Sequence, residues 1–388
     1  MSTPLFIKQR LLTPGPTAVP QAVLEEMAKP IIHHRTKAFQ AIIKDLNVKL
    51  KWLFRTESPV LCIAGSGTTA FEAAQINLIK PKGKALTIAA GKFGERWQDI
   101  YETYGVDQIK LNVPWGDAVD PAEVQRILDE HRDISVVTVV HSETSTATRC
   151  DVQAIAAITR QTDAILIVDG ITSIGAMPVE MDAWGIDVLV TGSQKAMMLP
   201  PGLGYLALGT RALERLKANG KPRFYNFDLN KWLKSHEADD FPFTPPVSLL
   251  RGQSVALDMI QSQGLENTWA RAKQLAHMSR AAFVAMGLKL ASTSPSDSVT
   301  SVFYPEGIVC GDFRKALREK HQIHIAGGQN GRGAKWKGKI FRTSQMGYVD
   351  LGDTLAGIEA IEMELIAAGQ KITPGTGVAA AIQAMRDD

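Results

Sequence analysis

Four apolar residues in a row, Ile165-Leu166-Ile167-Val168, run straight into an acidic one, Asp169. A run without apolar and polar alternation has no face to give to water. It reads as a strand covered on both sides, as in parallel sheets with helices above and below. Its neighbours fit that reading: short β-branched segments at 85–89, 134–140 and 188–191 alternate with amphipathic stretches at 121–131 and 152–161. This alternation predicts an α/β fold built on a mostly parallel sheet. Residues 23–80 read as helical, interrupted near Ser58-Pro59 and by the glycines of 65–67. The proline-rich stretch 221–246 reads as a crossing loop and 252–286 as a long connecting helix. Beyond it, strands are expected at 299–304 and 339–342, and helices at 311–320 and 354–367. The expected organisation is an N-terminal arm at 1–20, marked by Thr13-Pro14-Gly15-Pro16-Thr17, a large body at 21–264 and a smaller α+β body at 265–388.

Composition narrows the function classes. At roughly 150 residues per domain, 388 residues suggests two or three domains. The net charge of +3, from 43 Lys+Arg against 40 Asp+Glu, asks for neither nucleic acid nor an anionic membrane. No apolar run approaches the ~20 residues of a membrane span, and the apolar part of the opening segment is too short for a secretory signal. Cys62, Cys150 and Cys310 lie far apart with no CxxC pair, which favours a reducing, cytoplasmic compartment. Adjacent histidines such as His33-His34 seldom share one ion, so no metal site is expected.

Four features carry chemistry, and each alone has a commonplace explanation. Gly65-Ser66-Gly67-Thr68-Thr69 lies between the apolar VLCIA and a helical stretch. Glycines and hydroxyls at a helix start make an anion cradle, or merely a capped turn. Asp169 stands at a strand end, where open α/β sheets bind ligands, but Asp is also a common N-cap. Lys195, in Gly192-Ser193-Gln194-Lys195, sits between apolar segments. Burial there would depress its pKa and leave a neutral amine able to form a Schiff base; the alternative is a lysine snorkelling to the surface. Phe93, between Gly91 and Gly94, is either a stacking platform or a core aromatic. Taken together, an anion cradle, an aromatic platform, a carboxylate and an amine match pyridoxal 5′-phosphate, whose pyridine nitrogen an ionised Asp keeps protonated.

The segments TPGP, SGTTA, GKFGERW, HSETST, VDGITSIGAMPVEMDAWGIDV, GSQKAMMLPPG, QGLENTW and KIFR, in this order, resemble the class V, fold-type I aminotransferases. The similarity is greatest to the alanine–glyoxylate and serine–glyoxylate (serine–pyruvate) branch. That resemblance implies a homodimeric pyridoxal-phosphate enzyme passing an amino group from a small amino acid to a 2-oxo acid. Lys195 would bind the cofactor aldehyde and then move protons, and Asp169 would pair with the ring nitrogen. Phe93 and Ile171 would cover the two ring faces, and Thr144 would touch the 3′ oxygen. Ser66, Gly67, Thr68 and Gln194 would hold the phosphate, with Thr244 reaching the phosphate of the neighbouring subunit. Arg342 would clamp the substrate carboxylate and Gly15 would line the substrate site. Three residues before Thr244, where relatives often have Tyr, this chain has Phe241. The loop 327–339 is longer and more basic than usual; it reads as a solvated charge run, or as a source of Arg332 or Lys335 for a second acidic group on the substrate. Other reactions of the class, desulfurase or lyase, and a non-catalytic subunit role are the alternatives. Cys310, in the apolar EGIVCGDF, does not look like a desulfurase nucleophile.

Overall fold

The computed structural model describes residues 8–387 apart from 221 and 223; the first seven residues of the expected arm and residue 388 lie outside the described residues. A seven-stranded sheet forms the centre. Its strands in chain order are β1 (Val60–Gly65), β2 (Lys84–Ala89), β3 (Gln108–Asn112), β4 (Ile134–Val140), β5 (Ile165–Asp169), β6 (Val188–Gly192) and β7 (Gly202–Leu208). The spatial order is β1-β7-β6-β5-β4-β2-β3. All pairs are parallel except those made by β7, which runs against both its neighbours. β4, β5 and β6 are buried along their whole length, as their unbroken apolar runs require. The main core cluster draws on residues from Val23 to Leu265.

A second apolar cluster gathers Leu275, Phe283, Leu317, Phe341 and Ile361, together with Leu12 from the N-terminal segment. Its three-stranded antiparallel sheet consists of β8 (Val299–Phe303), β9 (Ala326–Gly327) and β10 (Ile340–Ser344), in the order β8-β10-β9. The N-terminal segment ties the two clusters together. Arg10–Leu11 pairs in parallel with Ile323–His324, whereas Thr17 bonds through its N–H to Gln194 O and through its hydroxyl to Lys195 O.

The structure departs from the sequence reading in four places. Val60–Gly65 is strand, not an interruption in helix, because pairing with β7 buries its apolar residues Val60 to Ile63. β3 and β7 escaped notice because one is a half-polar edge strand and the other carries two glycines. The stretch 252–286 is two helices, Val247–Gln263 and Leu265–Ala285, broken at Gly264 with φ 81°. The presumed loop 221–246 contains the helix Leu229–His236, started by the Asp228 side chain accepting from Asn230 N and anchored by buried Trp232. Among the described residues, no helix is long and apolar enough to cross a membrane.

Candidate active site

The carboxyl ends of β1, β2, β4, β5 and β6 point to one side of the sheet, where open α/β sheets gather ligand groups. Residues at and beyond those ends, from Ser66 to Lys195, line one cleft. Nine residues singled out from sequence are there: Ser66, Gly67 and Thr68 beyond β1, Phe93 beyond β2, Thr144 beyond β4, Asp169 and Ile171 at β5, and Gln194 and Lys195 beyond β6. Arg96, which sequence reasoning passed over, is the tenth.

The cradle is the start of helix α1 (Gly67–Leu78). Ser66 Oγ accepts from Thr69 N at 3.3 Å, while Thr69 Oγ1 accepts from Ser66 N at 3.1 Å. This capping box fixes the first turn, whose remaining N–H groups have no intrahelical acceptor and present the positive end of the helix dipole. A Cβ on Gly67 would stand 2.5 Å from Ile171 Cδ1, so only glycine lets the cradle and the β5 loop approach. Gln194 Oε1 is buried here without a hydrogen-bond partner. Arg96 brings a cation to the same corner: its Nη1 donates to Thr68 Oγ1 at 3.1 Å, and its guanidinium carbon lies 4.7 Å from the Phe93 ring centre. The signal that could have found it is spacing, since residues three apart on a helix share a face.

Phe93 is placed by a carboxylate the motif reading did not single out. Helix α2 (Lys92–Thr103) begins without a side-chain cap of its own. Glu143, fully buried, accepts from Phe93 N (3.2 Å), Gly94 N (3.0 Å), Ser145 N (3.0 Å) and Ser145 Oγ (2.6 Å). A negative group at a helix N-terminus is favourable, yet burial still pushes the Glu143 carboxyl above its usual range.

Asp169 and Lys195 stand at the ends of the adjacent parallel strands β5 and β6. Asp169 is 3 % exposed and accepts from Ile171 N at 2.8 Å. Burial, reinforced by the charge of Glu143, pushes its carboxyl up to about 7. Burial pulls the Lys195 ammonium down to about 8, helped by the positive charge of Arg342. Lys195 Nζ donates to Pro14 O at 2.5 Å, and a Cβ on Gly15 would lie 2.2 Å from it, so the TPGP turn rests directly on the amine.

Arg342, on β10 and 5 % exposed, comes from the other cluster. Its Nε (3.1 Å) and Nη2 (2.7 Å) donate to Gly327 O, and its Nη1 donates to Thr144 O at 2.8 Å. Of the five N–H groups of a guanidinium, these bonds commit three and leave one on each terminal nitrogen. That pair suits a carboxylate gripped end-on. Gly15 and Arg342 lie beside Lys195 and Thr144 but are not among the residues that line the cleft, and Thr244, exposed in the segment before Val247–Gln263, does not line the cleft of its own chain either. Phe241 is buried, 6.3 Å from the Phe39 ring. In the loop 327–339, Arg332 faces Asp99 and Glu102 of α2, and Lys335 is exposed. Cys310, expected to be buried, is only partly so and opens the helix Cys310–His321.

Comparison with known proteins agrees with this geometry. The family model described as aminotransferase class-V matches residues 10–345. The chain is 39 % identical to a protein named soluble hydrogenase, small subunit, of Synechococcus, over 96 % of this chain and 97 % of that protein. It is 36 % identical to the L-aspartate–glyoxylate aminotransferase of Paracoccus denitrificans, over 97 % and 95 % of the two chains. The crystal structure of pyridoxamine–pyruvate aminotransferase from Mesorhizobium loti superposes with a TM-score of 0.93 at 30 % identity, covering all of both chains. A strand-end cleft with a desolvated lysine and a buried aspartate, on a chain matched over most of its length by that family model, has one reading: this chain belongs to the class-V aminotransferase family.

Proposed function

We propose that the protein is a pyridoxal-phosphate-dependent aminotransferase. It takes the amino group of a small amino acid, alanine or serine, and delivers it to a 2-oxo acid such as glyoxylate or pyruvate in two half-reactions. The observation that carries this reading is the pairing, across one cleft, of an amine held near pH 8 with a carboxylate sealed at a strand end. The names of the relatives, glyoxylate and pyruvate aminotransferases, support the acceptor.

The residues present fit the cofactor. The α1 N-terminus, Ser66 and Thr68 form a donor set for a phosphate, with the Arg96 cation beside them and the Gln194 side chain lining the same cleft. Asp169 would hold the ring nitrogen, Phe93 and Ile171 would cover the ring, and Thr144 would meet the 3′ oxygen. When bound, the cofactor supplies an aldehyde for amines to condense with and a ring that accepts the electron pair released at Cα. Asp169 has one backbone donor and little water, so an N–H cation of the ring is its natural partner; that partner would return the carboxyl to its ionised form. Lys195, whose pKa burial lowers to about 8, would have a substantial neutral fraction at that pH to bind the cofactor aldehyde, and, once free, would be placed to take a proton from the substrate Cα and hand it back. Arg342 orients the substrate by its carboxylate, and the TPGP turn at Gly15 closes the site over Lys195.

The division into an arm at 1–20, a large body at 21–264 and a small body at 265–388 belongs to the same proposal, as does a cytoplasmic homodimer. The exposed Thr244, outside its own cleft, is available to a neighbouring subunit's phosphate. A role as a mere complex subunit, raised by the hydrogenase name of one relative, leaves Lys195, Asp169 and Arg342 without a purpose. The test is spectroscopic. Purified protein refilled with cofactor should show the visible band of cofactor bound through lysine, and Lys195→Ala should lose the band and the activity. Adding L-serine, L-alanine, glycine or L-aspartate one at a time should bleach the band for the true donor. A wild type that stays colourless after refilling ends this reading.

A further inference from the structure

The loop between β9 and β10 does more than connect strands. Its tip is seized by Glu95, a carboxylate of α2 that is only 2 % exposed. Glu95 Oε2 accepts from Arg332 N at 2.7 Å, and Oε1 accepts from Gly333 N at 2.8 Å and from the Trp115 indole N–H at 3.1 Å. Two of those donors are loop backbone and the third is the wall behind it. The fit leaves no room for side chains: a Cβ on Gly331 would stand 2.3 Å from Glu95 Oε2 and 2.4 Å from Trp115. Outside this seal the Arg332 guanidinium meets Asp99 and Glu102, one and two turns along α2.

The base of the same loop is equally constrained. Trp336 packs edge-on against Trp115 (5.5 Å) and Phe303 (5.2 Å), and its N–H donates to Gln329 O. Gly328 N donates to Ile340 O, closing the hairpin beside Gly327. Gly327 O is the carbonyl that takes two N–H groups of Arg342. One continuous set of contacts therefore runs from the helix that carries Phe93, through Glu95 and the loop, to the guanidinium proposed to grip the substrate. A buried carboxylate is costly unless its oxygens are satisfied. Two of the Glu95 hydrogen bonds come from this loop conformation, and a loop lifted away would leave the carboxylate with only the Trp115 indole and Lys92 at 3.8 Å.

We propose that Glu95 and the loop 327–339 form a clasp that sets Arg342 against the cofactor wall, making Glu95 a positioning residue for the substrate carboxylate. Arg332 then serves the clasp: it latches onto α2 and is not a ligand for a second substrate acid. This rests on the aminotransferase reading and deepens it.

Two variants open the clasp by different means. Glu95→Gln replaces one acceptor oxygen with an N–H₂ that faces donors, and Gly331→Ala forces a methyl between loop and carboxylate. In cofactor-loaded protein each should raise KM for amino acid and oxo acid about tenfold, the loss of one charge-assisted contact, while kcat stays close to wild type. Cofactor affinity and the visible band should not change, and tryptophan emission should shift as Trp115 loses its partner. Folded variants with unchanged KM overturn the proposal. So does a parallel fall in kcat, cofactor affinity and melting temperature, which would make Glu95 structural only. A wild type without the visible band would instead sink the underlying aminotransferase reading.

Discussion

The two sides of the candidate site, the strand-end cleft and the Arg342 side beside it, are built on different terms. On the strand-end wall each reactive group is placed by its own segment: Asp169 by the end of β5, Lys195 by the turn after β6, the cradle by the first turn of α1. On the other wall nothing is local. Arg342 depends on Gly327 O fifteen residues earlier and on Thr144 O from the far cluster, and the loop that carries Gly327 is held by α2. A wall made of strand ends is pre-set by the sheet. A wall made by a latched loop is set only when several segments agree.

That contrast can be broken by mutation. The largest effect belongs to the rigid wall. Asp169→Asn should cut turnover by about 10²- to 10³-fold, the usual cost of removing one preorganised electrostatic partner, with substrate KM little changed. A rate near wild type would mean the ring nitrogen is not held there. Next comes Arg342→Lys, which keeps the charge but loses the fork. KM should rise about 10- to 100-fold, as expected for a charge-assisted bidentate contact, with the visible band intact. Normal substrate affinity would remove Arg342 from the clamp.

Arg96→Ala comes third and separates phosphate from ring. Affinity for pyridoxal phosphate should fall about tenfold, whereas affinity for pyridoxal, which lacks the phosphate, should hold; an equal loss for both would place Arg96 on the ring through Phe93. The smallest effect is thermodynamic. In the cofactor-free fold Asp169 keeps its proton up to about pH 7, against 3.8 for a free carboxyl. The folded chain therefore binds the extra proton between those values, and the stability present at low pH is lost as pH rises through the window. Buried His141, held down to about 4, works in the opposite sense below 6.5. The difference between wild type and Asp169→Asn isolates the aspartate. Melting curves should show the variant gaining on wild type from about pH 4 to 7, and a constant difference would deny the raised pKa.

How much of this was legible follows the same divide. Uninterrupted apolar runs and the residues just beyond them were readable because strand burial is written in a few consecutive residues. The cradle, Asp169 and Lys195 have that form, whereas Ile171, Thr144 and Gln194 were implied only by the family resemblance; the structure brings all of them into one cleft. Val60–Gly65 was obscured because a short apolar segment suits helix or strand until a partner pairs with it. The break at Gly264 needed a backbone angle. Arg96 was visible as spacing on α2 and was missed because attention went to the aromatic beside it. Glu143 and Glu95 are a different matter. Acidic residues read as surface, and only packing shows that backbone N–H groups from other segments surround them.

By itself the sequence determined the α/β architecture, the strand ends proposed to carry the chemistry and the resemblance to aminotransferases, because hydrophobic period and turn chemistry act over a handful of neighbours. Tertiary structure alone decided how buried Asp169 and Lys195 are, which carbonyls aim Arg342, and that the basic loop grips α2 and does not line the cleft. Those depend on desolvation and on contacts between residues up to 238 positions apart, and no local pattern encodes either.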